Sequence, residues 1–302
     1  MPHSLTPAAL DELTRVNQDD FFESLGLKHL RWGRALLNPL VWPAARGFAH
    51  AIDRFDAEVG LQGLASGSAW LIEKMTGGLR VAGRQHIPAS GPTLVLSNHP
   101  GLADTVALFA ALPREDVRII AKVRPFLRAL PNVSRYLIYV PDDESERMSV
   151  VRQTVSHLKH GGLALTFPAG EIEPDPAFYG AEPACASLER WSNSIAVFAR
   201  LAPQTKIVPA IVSHVLSPAA QNHPLTRMRR TLQGREQLGA MLQIIFPLYQ
   251  NVAARVAFGP PLLAQDLLAT HADAASLTQA VTTAARQLIE HPPAEWDDSL
   301  LD

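Results

Sequence analysis

The 302-residue sequence predicts an α/β fold, a mixed, largely parallel central sheet with helices on both faces, preceded by an N-terminal helical segment. Three observations carry this. Short apolar runs rich in Val, Ile and Leu recur from residue 79 onward, as strands buried on both faces require. Amphipathic stretches lie between several of them, which favours crossover helices over hairpins. The first 75 residues, by contrast, read as helical.

Helices are expected at 7–25, 28–51 and 55–74, the middle one bent or split where Pro39 and Pro43 remove amide donors. Strands are expected at 79–82, 93–97, 117–121, 136–140, 163–167, 206–212 and 254–258, with helices at 146–159 and 188–201 between them. The Pro-rich piece 173–178 reads as an ordered surface loop over the site. A helix at 276–290 closes the fold before Pro292, Pro293 and a polar tail. The expected organisation is a helical segment over 1–75, an α/β domain over 76–265, and a C-terminal helix and tail over 266–302 packed on that domain.

The stretch 93–104, TLVLSNHPGLAD, carries the chemistry. An apolar strand ends at His99, Pro100 and Gly101 break it, and Asp104 stands where the N-cap of a helix over 105–112 is expected. A histidine in such a turn, with a carboxylate able to fold back onto its ring, is an oriented general base. His-x4-Asp spacing alone is weak in a chain with 11 histidines. A second strand and turn, LALTFPAGE over 163–171, strengthens it.

Together these blocks resemble the glycerolipid acyltransferase family, of the lysophosphatidate acyltransferase type. SNHPGLAD matches its Asn-His-x4-Asp block, and Phe167, Pro168, Ala169 and Gly170 match its Phe-Pro-x-Gly block. The run 206–212 looks like its later Val-Pro strand and 81–93 like its lead-in, so the resemblance spans about 79–262. It implies the glycerolipid acyltransferase fold, His99 and Asp104 as catalytic residues, and acyl-CoA or acyl-carrier protein as co-substrate with no cofactor and no metal. Asn98, Lys122, Arg124, Phe167, Pro168, Ala169, Gly170 and Glu171 are then the substrate-binding positions. The expected reaction is transfer of a fatty acyl group to a hydroxyl or amine of a lyso-lipid, by direct attack without an acyl-enzyme. Backbone N–H groups of the Ala169 and Gly170 turn are expected to hold the oxyanion.

Departures bear on the acceptor. Phosphate-using relatives carry Phe-Pro-Glu-Gly-Thr-Arg-Ser, whereas Glu171, Ile172 and Glu173 follow Gly170 here, so the phosphate-clamping arginine is replaced. This Phe-Pro-Ala-Gly-Glu form looks like the ornithine-lipid and haemolysin-like branch. Lys122 and Arg124 remain as basic candidates for a phosphate or carboxylate, and Glu171 either replaces the family glutamate or contacts an acceptor amine. Two other readings stay open: a catalytically silent lipid-binding protein of this fold, and a thioesterase or lipase-type hydrolase.

A formal charge of −2 argues against nucleic acid as a partner. The single cysteine, Cys185, excludes an intrachain disulfide and a Cys-based zinc site, and reads as a small buried residue. His157 and His160 are expected on a solvent-facing helix, and 142–144 in an exposed acidic loop. With no signal-peptide pattern at the start and no apolar run long enough to span a bilayer, the expected location is cytoplasmic, peripherally on the inner face of the membrane. Two basic-apolar segments are the candidates for the membrane face. One is 28–42, with Trp32, Leu36, Leu37 and Trp42, and the other is 225–246.

Overall fold

The computed structural model of the chain describes residues 5–24, 31–123, 125–141, 143 and 147–297. Its centre is an eight-stranded sheet of β1 (Leu79–Ala82), β2 (Thr93–Ser97), β3 (Val117–Lys122), β4 (Leu137–Val140), β5 (Leu163–Thr166), β6 (Lys206–Ser213), β7 (Ala254–Phe258) and β8 (Leu262–Leu263). The order is β1-β7-β6-β2-β5-β3-β4, with β8 pairing β6 off that path. All neighbours are parallel except β6 with β7 and β6 with β8. The predicted mixed, largely parallel sheet is therefore present, and every predicted strand is found to within a residue. Continuous apolar runs made them legible, since β2 and β5 are buried at every position. The two-residue β8 is too short to leave such a run.

Helices cover both faces. On one face, Leu108 and Leu112 join Val95, Leu165 and Val208 in a core that extends to Ile72 and Phe55 of the N-terminal helices. On the other, Leu94 and Leu96 meet Ile195, Ile207, Leu277 and Val281. The N-terminal helices are α1 (Pro7–Ser24), α2 (Arg31–Gln62) and α3 (Leu64–Met75). The expected split near Pro39 and Pro43 does not occur: α2 runs through both prolines and through 52–54. Val41, Ala45, Ile52 and Phe55 are all buried, so core packing carries the helix across that stretch. The break falls instead at Gly63, whose φ of 90° lies in the region that favours glycine.

The predicted closing helix is Ala274–Glu290. Beyond it the tail returns to the sheet, where Asp297 and Val81 exchange both backbone hydrogen bonds at 2.9 and 2.8 Å. Among the described residues no helix is long and apolar enough to cross a membrane. No group of three or more His, Cys, Asp or Glu side chains among them could hold a metal ion.

Candidate active site

The site forms at the C-terminal ends of β2, β5, β3 and β6, where the parallel strands deliver their following turns to one edge. After β2 the chain passes Asn98, His99, Pro100 and Gly101 into helix α4 (Leu102–Ala111). Asp104 is therefore the third residue of α4 and not its N-cap, which is Gly101. From there its carboxylate folds back across the turn. Oδ2 accepts from the Gly101 N–H at 2.8 Å and lies 2.7 Å from His99 Nδ1, while Oδ1 accepts from the Thr105 hydroxyl at 2.9 Å.

The Asp104 side chain is fully buried and that of His99 is 28% exposed, so the pair has a fixed inner half and an accessible outer half. With Nδ1 committed to the carboxylate, Nε2 is the ring nitrogen left for chemistry. Burial disfavours the imidazolium, but the charge and hydrogen bond of Asp104, aided by Glu173 and opposed by Lys122, hold the His99 pKa above the ordinary 6.5. Phe167, the first residue past β5, stacks on the imidazole at 4.6 Å between centroids with planes tilted 31°.

The Asn98 side chain is turned to the main chain of β6. Its amide donates to Val212 O at 2.9 Å and its Oδ1 accepts from Val212 N at 2.7 Å, which extends the β2–β6 pairing past the last strand residue. Buried and consumed by main chain, it holds the turn in place. Ser97 Oγ is likewise buried and donates to Asn98 O at 3.0 Å, so it is not poised as a nucleophile.

In the β5 turn the Gly170 N–H donates to Phe167 O at 3.0 Å. That corrects the expectation that it is a spare oxyanion donor. Gly170 nevertheless keeps an open approach, since φ is 67° and a Cβ there would meet nothing within 4 Å. Lys122, at the end of β3, donates from Nζ to Gly170 O at 2.9 Å. One of its three ammonium protons is thereby used and its charge is set beside the turn. Pro168 is buried and its carbonyl accepts from Ser192 N at 3.1 Å, whereas Ala169 is half-buried. Glu171 points outward to an exposed ion pair with Arg190 at 2.8 Å, so it neither replaces a buried glutamate nor faces His99. Arg124 lies outside the described residues, as do 142 and 144 of the acidic loop.

The Pro-rich piece is ordered as expected, but its acids turn inward. Glu173 is 1% exposed and Asp175 is 0% exposed. Asp175 accepts backbone N–H groups from Ala177, His214, Val215 and Leu216 at 2.9 to 3.2 Å, pinning the chain as it leaves β6. His214 is held there at φ 59°, a conformation unusual outside glycine. Glu173 Oε2 accepts from the His99 main-chain N–H at 3.0 Å, and the Glu173 N–H donates to His99 O at 2.9 Å. Oε1 accepts from Trp191 Nε1 at 3.1 Å and lies 3.0 Å from the Ser187 hydroxyl. Burial is the main cause that pushes the Glu173 pKa up to about 7, against these hydrogen bonds. Sequence reasoning passed over Glu173 and Asp175, because an acid beside a proline gives no inward signal.

Among known proteins, the family model described as Acyltransferase matches residues 78–213, the segment that contains His99, Asp104 and the turn after β5. No curated protein matches the chain. A similar solved structure is that of the 1-acyl-sn-glycerophosphate (LPA) acyltransferase PlsC from Thermotoga maritima. It is 13% identical with a TM-score of 0.49, over 95% of this chain and 99% of that one. Residues 78–213 thus form an acyltransferase-family domain.

Proposed function

We propose that the protein moves a fatty acyl group from a thioester, acyl-CoA or acyl-carrier protein, to a hydroxyl or amine of a lyso-lipid, with His99 as general base. The observation that carries this reading is the buried Asp104 carboxylate 2.7 Å from His99 Nδ1 beneath a partly exposed ring. In the proposed step Nε2 takes the acceptor proton as the acceptor oxygen or nitrogen attacks the thioester carbonyl. The tetrahedral intermediate collapses with C–S cleavage, and the imidazolium returns its proton to the departing thiolate. Ser97 is turned away and Cys185 is buried on the other sheet face, so direct transfer is favoured over an acyl-enzyme. Among the described residues, the Lys122 ammonium is placed beside the turn where it could receive an anionic group of donor or acceptor.

A lipid acceptor calls for a membrane face, and the second basic-apolar segment supports one. Leu225, Met228, Phe246 and Leu248 are exposed, Met228 and Leu248 by 77% and 81%. Tyr249 joins their two ends through ring contacts to His223 and Phe246. Arg227, Arg230 and Arg235 are exposed around them, and the one acid in 217–250, Glu236, is buried. Apolar tips ringed by arginine suit an anionic bilayer surface. Of the first segment, 28–30 and the side chains of Trp32 and Leu36 lie outside the described residues, whereas Trp42 is 45% exposed and stacked under Arg46.

The test is mass spectrometry of lipid products from the wild type and His99→Ala. Each is incubated with acyl-CoA or acyl-carrier protein and a panel of lyso-lipids that includes a phosphate-free lyso-ornithine lipid. A new acylated lipid made by the wild type alone supports transfer and names the acceptor. Donor hydrolysis without lipid product points to a thioesterase, and intact substrates with confirmed lipid binding point to a silent binding protein.

A further inference from the structure

His99 lies two residues beyond the end of β2, where the strand ladder has stopped, so its main-chain N–H and C=O have no neighbouring strand to pair with. A single residue takes both. Glu173 accepts the N–H through Oε2 and returns its own N–H to the His99 carbonyl. Its other carboxylate oxygen is anchored to Trp191 and Ser187, which are buried beneath the β5 loop. A buried carboxylate is a costly way to hold a turn, because its desolvation must be offset by several donors. A neutral side chain would satisfy one N–H more cheaply. What the carboxylate adds, in its ionised form, is negative charge beside the imidazole.

We propose that Glu173 is a positioning residue for acyl transfer, clamping the main chain of His99 while its charge supports the imidazolium that forms when the ring takes the acceptor proton. This rests on the reading of His99 as the base. The charged groups facing the ring are Asp104 from α4, Glu173 from the loop after β5 and Lys122 from the end of β3, two anions against one cation. Asp104 acts on the ring itself and Glu173 acts through the backbone and the field, so their losses should differ in kind. Burial of Glu173 also makes its charge sensitive to its anchors, since the Trp191 and Ser187 hydrogen bonds favour the ionised form.

The experiment is a pair of titrations on the full chain, wild type against Glu173→Gln and Ser187→Ala. The first is the pH profile of kcat, and the second is the ¹⁵N NMR titration of the labelled His99 ring in the absence of substrate. For Glu173→Gln, kcat is expected to fall about tenfold with KM little changed, as for a group that acts at the transition state. The acid limb and the NMR midpoint should both move down by about half a pH unit or more, because an anion that raises the His99 pKa has been removed. Ser187→Ala, which keeps the carboxylate but weakens its ionisation, should move both in the same direction by less. It also carries the test if the glutamine variant does not fold. A folded variant whose limb and NMR midpoint stay at the wild-type values would overturn the proposal, even with kcat reduced, because a packing role would leave them unmoved. Because the NMR titration needs no substrate, a midpoint that moves as expected in a protein with no transfer on any acceptor would sink the acyl-transfer reading and leave the clamp standing.

Discussion

The two ends of the β2–β5 pair each bury charge, and they do so to opposite effect. At the N-terminal end, Arg114 is 7% exposed and spends its guanidinium on the structure. Nε and Nη2 grip the Asp116 carboxylate at 2.8 and 2.6 Å, and the remaining protons go to Gly91 O, Thr93 Oγ1 and Gly161 O at 2.7 to 3.1 Å, with Pro88 O at 3.3 Å. That end is saturated. At the C-terminal end the carboxylates of Asp104 and Glu173 are equally engaged, but the histidine they hold keeps one ring nitrogen uncommitted toward solvent. Buried charge closes every valence at the first end and leaves one open at the second.

The sharpest way to break this contrast is at His99. Substitution by alanine should lower kcat by about 10²–10⁴-fold, the range for a general base, while the melting temperature stays near the wild-type value. Asp104→Asn ranks next, with a loss of about 10²-fold from a misdirected tautomer. Its acid limb should move to lower pH, because the strongest contribution holding the His99 pKa above 6.5 is gone. At the saturated end the same kind of change should act on stability alone. Arg114→Ala orphans buried carbonyls and should cost about 3 kcal/mol in denaturant unfolding, with activity per folded molecule retained.

The two ends should also answer pH in opposite directions. The Glu173 pKa is raised to about 7, so the native state binds more protons than the unfolded one from about 4.5 upward. Its contribution is full below that range and is lost as pH rises through 7. Asp116 is held below its ordinary 3.8, chiefly by its hydrogen bond from Arg114, so its contribution is present at neutral pH and lost on acidification. Melting curves should show Glu173→Gln flattening the dependence between pH 4.5 and 7, and Asp116→Asn flattening it below 4. The smallest effect belongs to Glu171→Gln. Removing an exposed ion pair should change stability by about 0.5 kcal/mol or less and leave kcat near the wild-type value.

The same contrast separates what could be read from the sequence. Strands such as 93–97 and 163–166 were legible because a strand buried on both faces writes itself as an unbroken apolar run. His99 and Asp104 were legible because the six residues 99–104 contain the whole interaction. Glu173 was not, since its partners lie 74, 14 and 18 residues away and no local pattern marks an acid as buried. Glu171, the acid that sequence favoured, stands two positions earlier and faces out. Asn98 sat in the right motif with the wrong assignment, because a side chain that mimics a strand partner is visible only once β6 is alongside. The prolines of α2 misled in the other direction, since Val41 and Ala45 beside them are buried and packing there outlasts a missing amide.

The return of the tail to β1 has a consequence for colloidal behaviour. β1 is the outermost strand beyond β7, and the Asp297 main chain occupies the open side of Val81. A bare edge strand offers unpaired amides and carbonyls to any other extended chain, and so templates intermolecular sheet growth. By laying one residue across that edge, with Trp296 beside it against Arg255, the tail works as a chain terminator for the sheet. The cover of that edge is thus supplied by residues that lie about two hundred positions, in sequence, from the His99 turn.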